Sequence, residues 1–231
     1  MPRKAKAILL TPFQNRAQDA LAENAFFNAL SRECLSWTRR TSLRKGEALF
    51  EKGDTSDRLF GLVGGQMKLC SATTEIPSAA RPVVFGIIAP GEMLGELGFT
   101  DGAPRHATAV ALAHSELLTI DRGDLEPMME QTPELRALLG AACSASAQRL
   151  SERIEDAAYL SIEARVEKAL RDCAQRFGIR TENGGTLVPL RQQDLADVLG
   201  LSRASINKIL TSSAMAGRVE LGRGRIVLFS V

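Results

Sequence analysis

The sequence predicts an α+β fold: an antiparallel β body, a long central helix and a small C-terminal helix-turn-helix unit with a wing. Three observations carry that prediction. Residues 43–120 alternate apolar and polar positions between glycine turns, with no helical period among them. Residues 134–156 contain no proline and only one glycine, Gly140. Beyond them, two short amphipathic segments meet at Gly200, and a glycine-rich hairpin follows.

The bulk composition limits the alternatives. At 231 residues, 45% hydrophobic and 24% charged, the chain has the make-up of a water-soluble globular protein of one large or two modest domains. No apolar run approaches the ~20 residues a membrane span needs. The opening "MPRKAKAILLTPF" is basic, but its apolar stretch is short and lacks a small-residue cleavage site. The sequence therefore predicts a cytoplasmic protein without a membrane partner. Cys34, Cys70, Cys143 and Cys173 are scattered without a C-x-x-C pair, which predicts reduced thiols, most of them in the core, and no metal site. No Ser–His–Asp set, H-E-x-x-H or Walker loop is present, so no catalytic residue is assigned and the chain is not read as an enzyme.

Taken in order, residues 1–24 form a basic arm, and residues 19–37 read as a helix with Leu21, Phe26, Phe27 and Leu30 on its apolar side. The β body follows in "EALFEKGDTSDRLFGLVGGQMKLCS", "RPVVFGIIAPGEML" and "HATAVALAHSELLTIDR". The loop "SATTEIPSAARP" between the first two stretches reads as a flap over a pocket. Residues 124–159 are helical with a break at Thr132-Pro133, where Thr132 is the expected N-cap and Pro133 suits a first helical turn. Along the second helix Leu139, Cys143, Ser146, Leu150, Ile154 and Ala157 recur at spacings of three or four. That stripe is either the seam of a homodimer or the face packed on the chain's own domain, and the dimer is the reading preferred. Next comes "SIEARVEKALRDCAQRFG", an amphipathic helix stopped by Gly178. The domains expected are thus an arm at 1–24, a β domain at 25–132, a central helix at 133–160 and a C-terminal unit at 161–231.

The last unit carries a charge signal. From residue 180 onward, seven basic residues face four acids, a balance of +3 in a chain of net charge +2. Leu195, Ala196 and Leu199 give one short helix a buried side, and Gln192 and Gln193 open it. Gly200-Leu201-Ser202 makes the turn, with Ser202 as N-cap, and Ile206, Ile209 and Leu210 give the second helix its buried side. The outer face then presents Arg203, Ser205, Asn207 and Lys208 to base edges or phosphates. Arg223 and Arg225 sit at a hairpin tip, placed for backbone phosphates. A solvated αα corner would explain the helices alone, but not the coincidence of turn glycine, N-cap serine, basic face and wing. Double-stranded DNA is the expected partner.

The stretch "GEMLGELGFTDGAPRHATAVA" carries the second signal. Gly95-Glu96-Leu97-Gly98 reads as a helical turn after a strand, whose amides can cradle a phosphate. Arg105, returning on the next strand, can pair with that phosphate, and Glu96 can accept from a ribose hydroxyl. Carboxylate, amides and guanidinium together suit a cyclic nucleotide. On the residues alone, a surface Glu–Arg ion pair beside a β-turn explains the pattern equally well.

With these motifs in order, the chain resembles the cyclic-AMP receptor protein and fumarate–nitrate reduction regulator superfamily of bacterial transcription factors. The likeness covers residues 26–231 through "GEALFEKGDTSDRLFGLVGGQMKL", "GEMLGELGF…PRHATAVA" and "LADVLGLSRASINKIL". It implies an antiparallel β-roll joined by a long dimerisation helix to a winged helix-turn-helix domain. It also implies a homodimer on a palindromic operator with half-sites roughly 34 Å apart, and RNA polymerase as a further partner. By the same likeness, Gly95, Glu96 and Arg105 fall on ribose- and phosphate-binding positions, with Leu97 and Gly98 beside them. His106 replaces a Ser or Thr, and Leu150-Ser151 aligns with a Thr-Ser pair that touches adenine, so that Ser151 is the expected contact from the partner subunit and the threonine hydroxyl is lost. Cyclic AMP is the first effector expected, cyclic GMP the second, and a regulator needing no effector the third. Cys34 stands alone where iron–sulfur members carry a cysteine cluster. His106 lies in the cassette and His114 on a later strand, so neither is expected to hold haem. Arg203 matches the arginine that reads guanine, while Ala204 replaces a glutamate and Lys208 a second arginine. One strongly demanded G per half-site is the expectation.

Overall fold

The structure, a computed structural model, describes residues 38–71 and 82–229. The helix expected at 19–37, the basic arm and nearly all of the expected flap lie outside the described residues. The β body is built from eight strands: β1 (Arg39–Leu43), β2 (Ala48–Phe50), β3 (Arg58–Gly64), β4 (Met67–Cys70), β5 (Val84–Ile88), β6 (Met93–Leu94), β7 (Thr108–Ala111) and β8 (Ser115–Asp121). They form two four-stranded antiparallel sheets, ordered β1-β8-β3-β6 and β2-β7-β4-β5. The inward residues of both sheets fill one core, with Phe60, Leu62, Leu94 and Leu117 from the first meeting Phe50, Met67, Ile88 and Ala109 from the second. This is the antiparallel two-sheet body the alternating pattern predicts, in the roll form the family resemblance implies. His114, expected on a strand, lies exposed in the turn before β8.

Helix α1 (Glu96–Asp101) sits between β6 and β7, and α2 (Arg122–Gln131) follows β8. The chain breaks at Thr132 and continues as α3 (Pro133–Tyr159), 27 residues long. Pro133 occupies the first turn as expected, but Thr132 does not cap the helix with its hydroxyl. Its main chain closes both helices instead: the N–H donates to Met128 O, and the carbonyl accepts from Leu135 N. Leu135 and Leu139 of α3 lie with Leu125 of α2 in a second core cluster that includes Leu59, Phe99 and Ile120 of the roll.

The C-terminal unit comprises α4 (Ile162–Phe177), β9 (Ile179–Arg180), β10 (Thr186–Val188), α5 (Gln192–Leu199), α6 (Arg203–Met215), β11 (Val219–Gly222) and β12 (Arg225–Leu228). Ser161 caps α4, its Oγ accepting from Ala164 N at 3.2 Å. Gly178 ends that helix by close approach, since a Cβ there would run into Ala174 O and Thr186 Cγ2. A third sheet, β11-β12-β10-β9, backs the helices around Val166, Leu170, Leu195, Ile206, Leu210 and Ile226. Cys173 lies in this core, where burial pushes its thiol up to about 12. Cys70 is likewise a buried free thiol.

Ile87 and Leu112 of the roll join the same cluster, so the unit packs directly on the roll. β5 is an edge strand, and its outward carbonyls need donors. Arginines supply them. Arg153 of α3 donates to Val84 O (3.2 Å) and Phe85 O, and also reaches Val198 O near the end of α5. Arg176 donates to Ile87 O at 2.6 Å and pairs with Glu92 at 2.6 Å. Arg165 holds Leu199 O at 2.8 Å. Burial and the like charge of Arg165 pull the Arg153 guanidinium below its ordinary range. No helix among the described residues is long and apolar enough to cross a membrane.

Candidate functional site

The cassette begins at Gly95, whose φ of 86° permits the turn that starts α1. A Cβ at this position would also collide with the Arg105 guanidinium. Glycine is therefore required twice over, by conformation and by the arginine packed against it. Leu97 is half-buried and Gly98 buried, the latter against Ser56.

Arg105 and Glu96 are not the exposed ion pair that the residues alone allowed. Arg105 is 3% exposed and Glu96 6%. Arg105 donates from Nη1 to Gly95 O at 2.9 Å and from Nη2 to Arg58 O at 2.5 Å. Its guanidinium stacks over Phe50, 4.5 Å from the ring centre, and lies 5.5 Å from that of Phe60. Burial draws its pKa down, while Asp57, Glu96 and Asp54 oppose that shift; a guanidinium stays cationic regardless. Its Nε–H is buried and has no acceptor among the described residues. The Ser56 hydroxyl, also buried, has no hydrogen-bond partner among them either. A cavity of about 510 Å³ opens on Arg105, Phe50 and Phe60, with Asp54 and Asp57 on its wall.

Glu96 finds its partner on α3. Its Oε1 accepts from Ser146 Oγ at 2.7 Å, and Ser146 Oγ accepts from Arg149 Nη2 at 2.9 Å. His106 is exposed, its ring 6.5 Å from that of Phe85 on β5. The stripe expected as a dimer seam is divided by this packing. Leu139 is 4% exposed and spent in the subunit's own core, a correction to its placement on the seam. Cys143 touches Thr100 of α1 at 3.4 Å, and Ser146 holds Glu96. Leu150, Ser151, Ile154 and Ala157 remain exposed, Ile154 at 71%.

In the C-terminal unit, Gly200 ends α5 with φ 66°, and Ser202 caps α6 by accepting from Ser205 N at 3.0 Å. Arg203, Asn207 and Lys208 are exposed on α6. Ser205 is half-buried and its hydroxyl bonds to that of Ser202 at 2.8 Å, so it serves the cap rather than the outer face. Gln192 is half-buried, and Gln193 donates to Asp197 at 2.7 Å. Asp194, 4% exposed, is held by two hydrogen bonds from the Arg191 guanidinium and one from its main-chain N–H, and this contact keeps Arg191 more basic than usual. Arg218 pairs with Glu167 at 2.9 Å. Arg223 and Arg225 are exposed at the wing, and like Arg203 and Lys208 they meet no acid at ion-pair distance among the described residues. Sequence reasoning missed Arg149, Arg153 and the two-phenylalanine platform. The helical spacing of Ser146, Arg149 and Arg153 was a legible signal for one polar face.

Residues 40–132 match the family model of the cyclic nucleotide-binding domain, and residues 164–230 that of the Crp-like helix-turn-helix domain. Fold and matches together define a DNA-binding transcription regulator that carries a cyclic-nucleotide-binding domain. The chain is 30% identical over 189 residues to the CRP-like cAMP-activated global transcriptional regulator of Mycobacterium tuberculosis, covering 80% of this chain and 81% of that one. It is 29% identical over 192 residues to the cyclic AMP receptor protein of Thermus thermophilus, covering 83% and 84%. Among solved structures, FixK2 of Bradyrhizobium japonicum shares the fold with a TM-score of 0.73 at 18% identity, covering 84% of this chain and 93% of that one. The chain belongs to the cyclic-AMP receptor protein and fumarate–nitrate reduction regulator family.

Proposed function

We propose that the protein is a homodimeric, cytoplasmic regulator whose roll binds a cyclic nucleotide, cyclic AMP before cyclic GMP, and whose winged unit reads a palindromic operator beside RNA polymerase. One observation carries the effector reading. Arg105 is pre-positioned by two carbonyls and two rings, yet keeps a buried Nε–H without an acceptor. A buried donor left unpaired costs on the order of 1–3 kcal/mol, which a bound phosphate oxygen would recover. The 30% identical relative of Mycobacterium tuberculosis is cAMP-activated by name and the 29% identical one of Thermus thermophilus is a cyclic AMP receptor by name, which favours cyclic AMP. The exposed Leu150, Ile154 and Ala157 supply the remaining seam for a second copy, with Ser151 directed at the partner's nucleotide.

Calorimetric titration with cyclic AMP and cyclic GMP tests this reading. Wild type should bind one of them, Arg105→Ala neither, and Arg105→Lys weakly, because an ammonium cannot hold two carbonyls and still offer a fork. Absence of heat with either nucleotide, alongside DNA binding by untreated protein, would leave a regulator that needs no such effector.

A further inference from the structure

We infer that α3 of the same subunit, through Ser146 and Arg149, is a working part of the effector site and sets its preference for a ligand with a free hydroxyl beside its phosphate. This rests on the cyclic-nucleotide reading of the cassette. The argument is a proton count. Arg149 can only donate, so its contact with Ser146 Oγ uses an oxygen lone pair. The single hydroxyl hydrogen of Ser146 is then committed to Glu96 Oε1, 2.7 Å away. The chain Arg149 to Ser146 to Glu96 is thus polarised in one direction, from an exposed cation to a buried carboxylate. It holds Glu96 in one rotamer and leaves Oε2 as an acceptor without a hydrogen-bond partner among the described residues.

A second contact keeps the two helices in register. Thr100 Oγ1 donates to Glu96 O at 2.7 Å and touches Cys143 Sγ at 3.4 Å, one turn before Ser146. Glu96 also lies close enough to Arg105 for its charge to oppose the downward pull of burial on that guanidinium. A 3′,5′-cyclic phosphate on Arg105 carries its 2′-hydroxyl on the adjacent ring carbon. Glu96 Oε2 is the acceptor offered to it. Ser146 is therefore a positioning residue for hydroxyl recognition, and Arg149 orients Ser146. Recognition of the sugar is tied by this chain to the helix that exposes Leu150 and Ile154.

The test is calorimetry of the full chain with cyclic AMP and 2′-deoxy cyclic AMP, using wild type, Ser146→Ala, Ser146→Thr and Arg149→Gln, each checked by thermal melting. Wild type should favour the hydroxylated ligand by ~10-fold or more, the range for a hydrogen bond to a charged group. Ser146→Ala should cut that preference to within about threefold, weakening cyclic AMP more than its deoxy analogue. Ser146→Thr, which keeps the hydroxyl, should restore it, and Arg149→Gln should fall between. If Ser146→Ala and Arg149→Gln both bind nucleotide with the wild-type preference intact, the inference is overturned while the cyclic-nucleotide reading stands. Failure of wild type to bind either ligand would overturn both.

Discussion

In the proposed function two helix starts meet phosphate-bearing ligands, and they are built in opposite ways. At α1 the arginine and the carboxylate are buried, and both side-chain hydrogen bonds of Arg105 among the described residues go to main-chain carbonyls. At α6 the cap is a surface serine, and Arg203 stands exposed without an acid partner among the described residues. A small ligand that enters a core must find its donors already placed, because little else is available to orient it. A DNA duplex is large and arrives from outside, so long free side chains can settle on it after contact, at an entropic cost spread over many contacts. The difference predicts that the first arginine supports the fold as well as the ligand, whereas the second serves the ligand alone.

The sharpest way to break this comparison is thermal unfolding of two alanine variants. Arg105→Ala should lower stability by about 2–4 kcal/mol, since it strands the buried carbonyls of Arg58 and Gly95 and empties the space over Phe50. Arg203→Ala should stay within about 0.5 kcal/mol of wild type. Equal melting temperatures for Arg105→Ala and wild type would refute the structural role. Next in size, Arg203→Ala should cost ~1–3 kcal/mol of operator binding and relax the demand for one base. A uniform loss over all DNA sequences would make Arg203 a phosphate contact instead. Smallest, Ser202→Ala should cost about 1 kcal/mol of stability through its lost cap. Denaturant unfolding unchanged by that substitution would mean that the α6 start is held by packing of Ile206 and Leu210 rather than by the serine.

Much of the fold was legible because the signals are local. Alternation marks the strands of the roll, Pro133 marks the restart of the helix, and Gly200 with Ser202 marks the helix-turn-helix corner. These depend on backbone preferences and on hydrogen bonds spanning three or four residues. The candidate site was legible in part for the same reason: glycine spacing and the returning arginine stand within one short stretch. Thr132 shows where such reasoning overreaches. Its residue type suits an N-cap, but the main chain between two abutting helices had already taken the role. The α3 stripe shows the same limit, since a spacing of three or four names a face without saying what covers it.

The sequence by itself determined the order of the units, most of their secondary structure, the helix-turn-helix corner and the placing of Gly95, Glu96 and Arg105 in one short stretch. Only the tertiary structure decided who partners whom. Glu96 meets Ser146 across 50 residues, Arg105 meets Arg58 across 47, and Arg153 meets Val198 across 45 and Phe85 across 68. The physical reason is one of range. Propensity and periodicity act over a turn or two. The demand that each buried polar group find a partner is met by whichever residue the packed chain brings within about 3 Å.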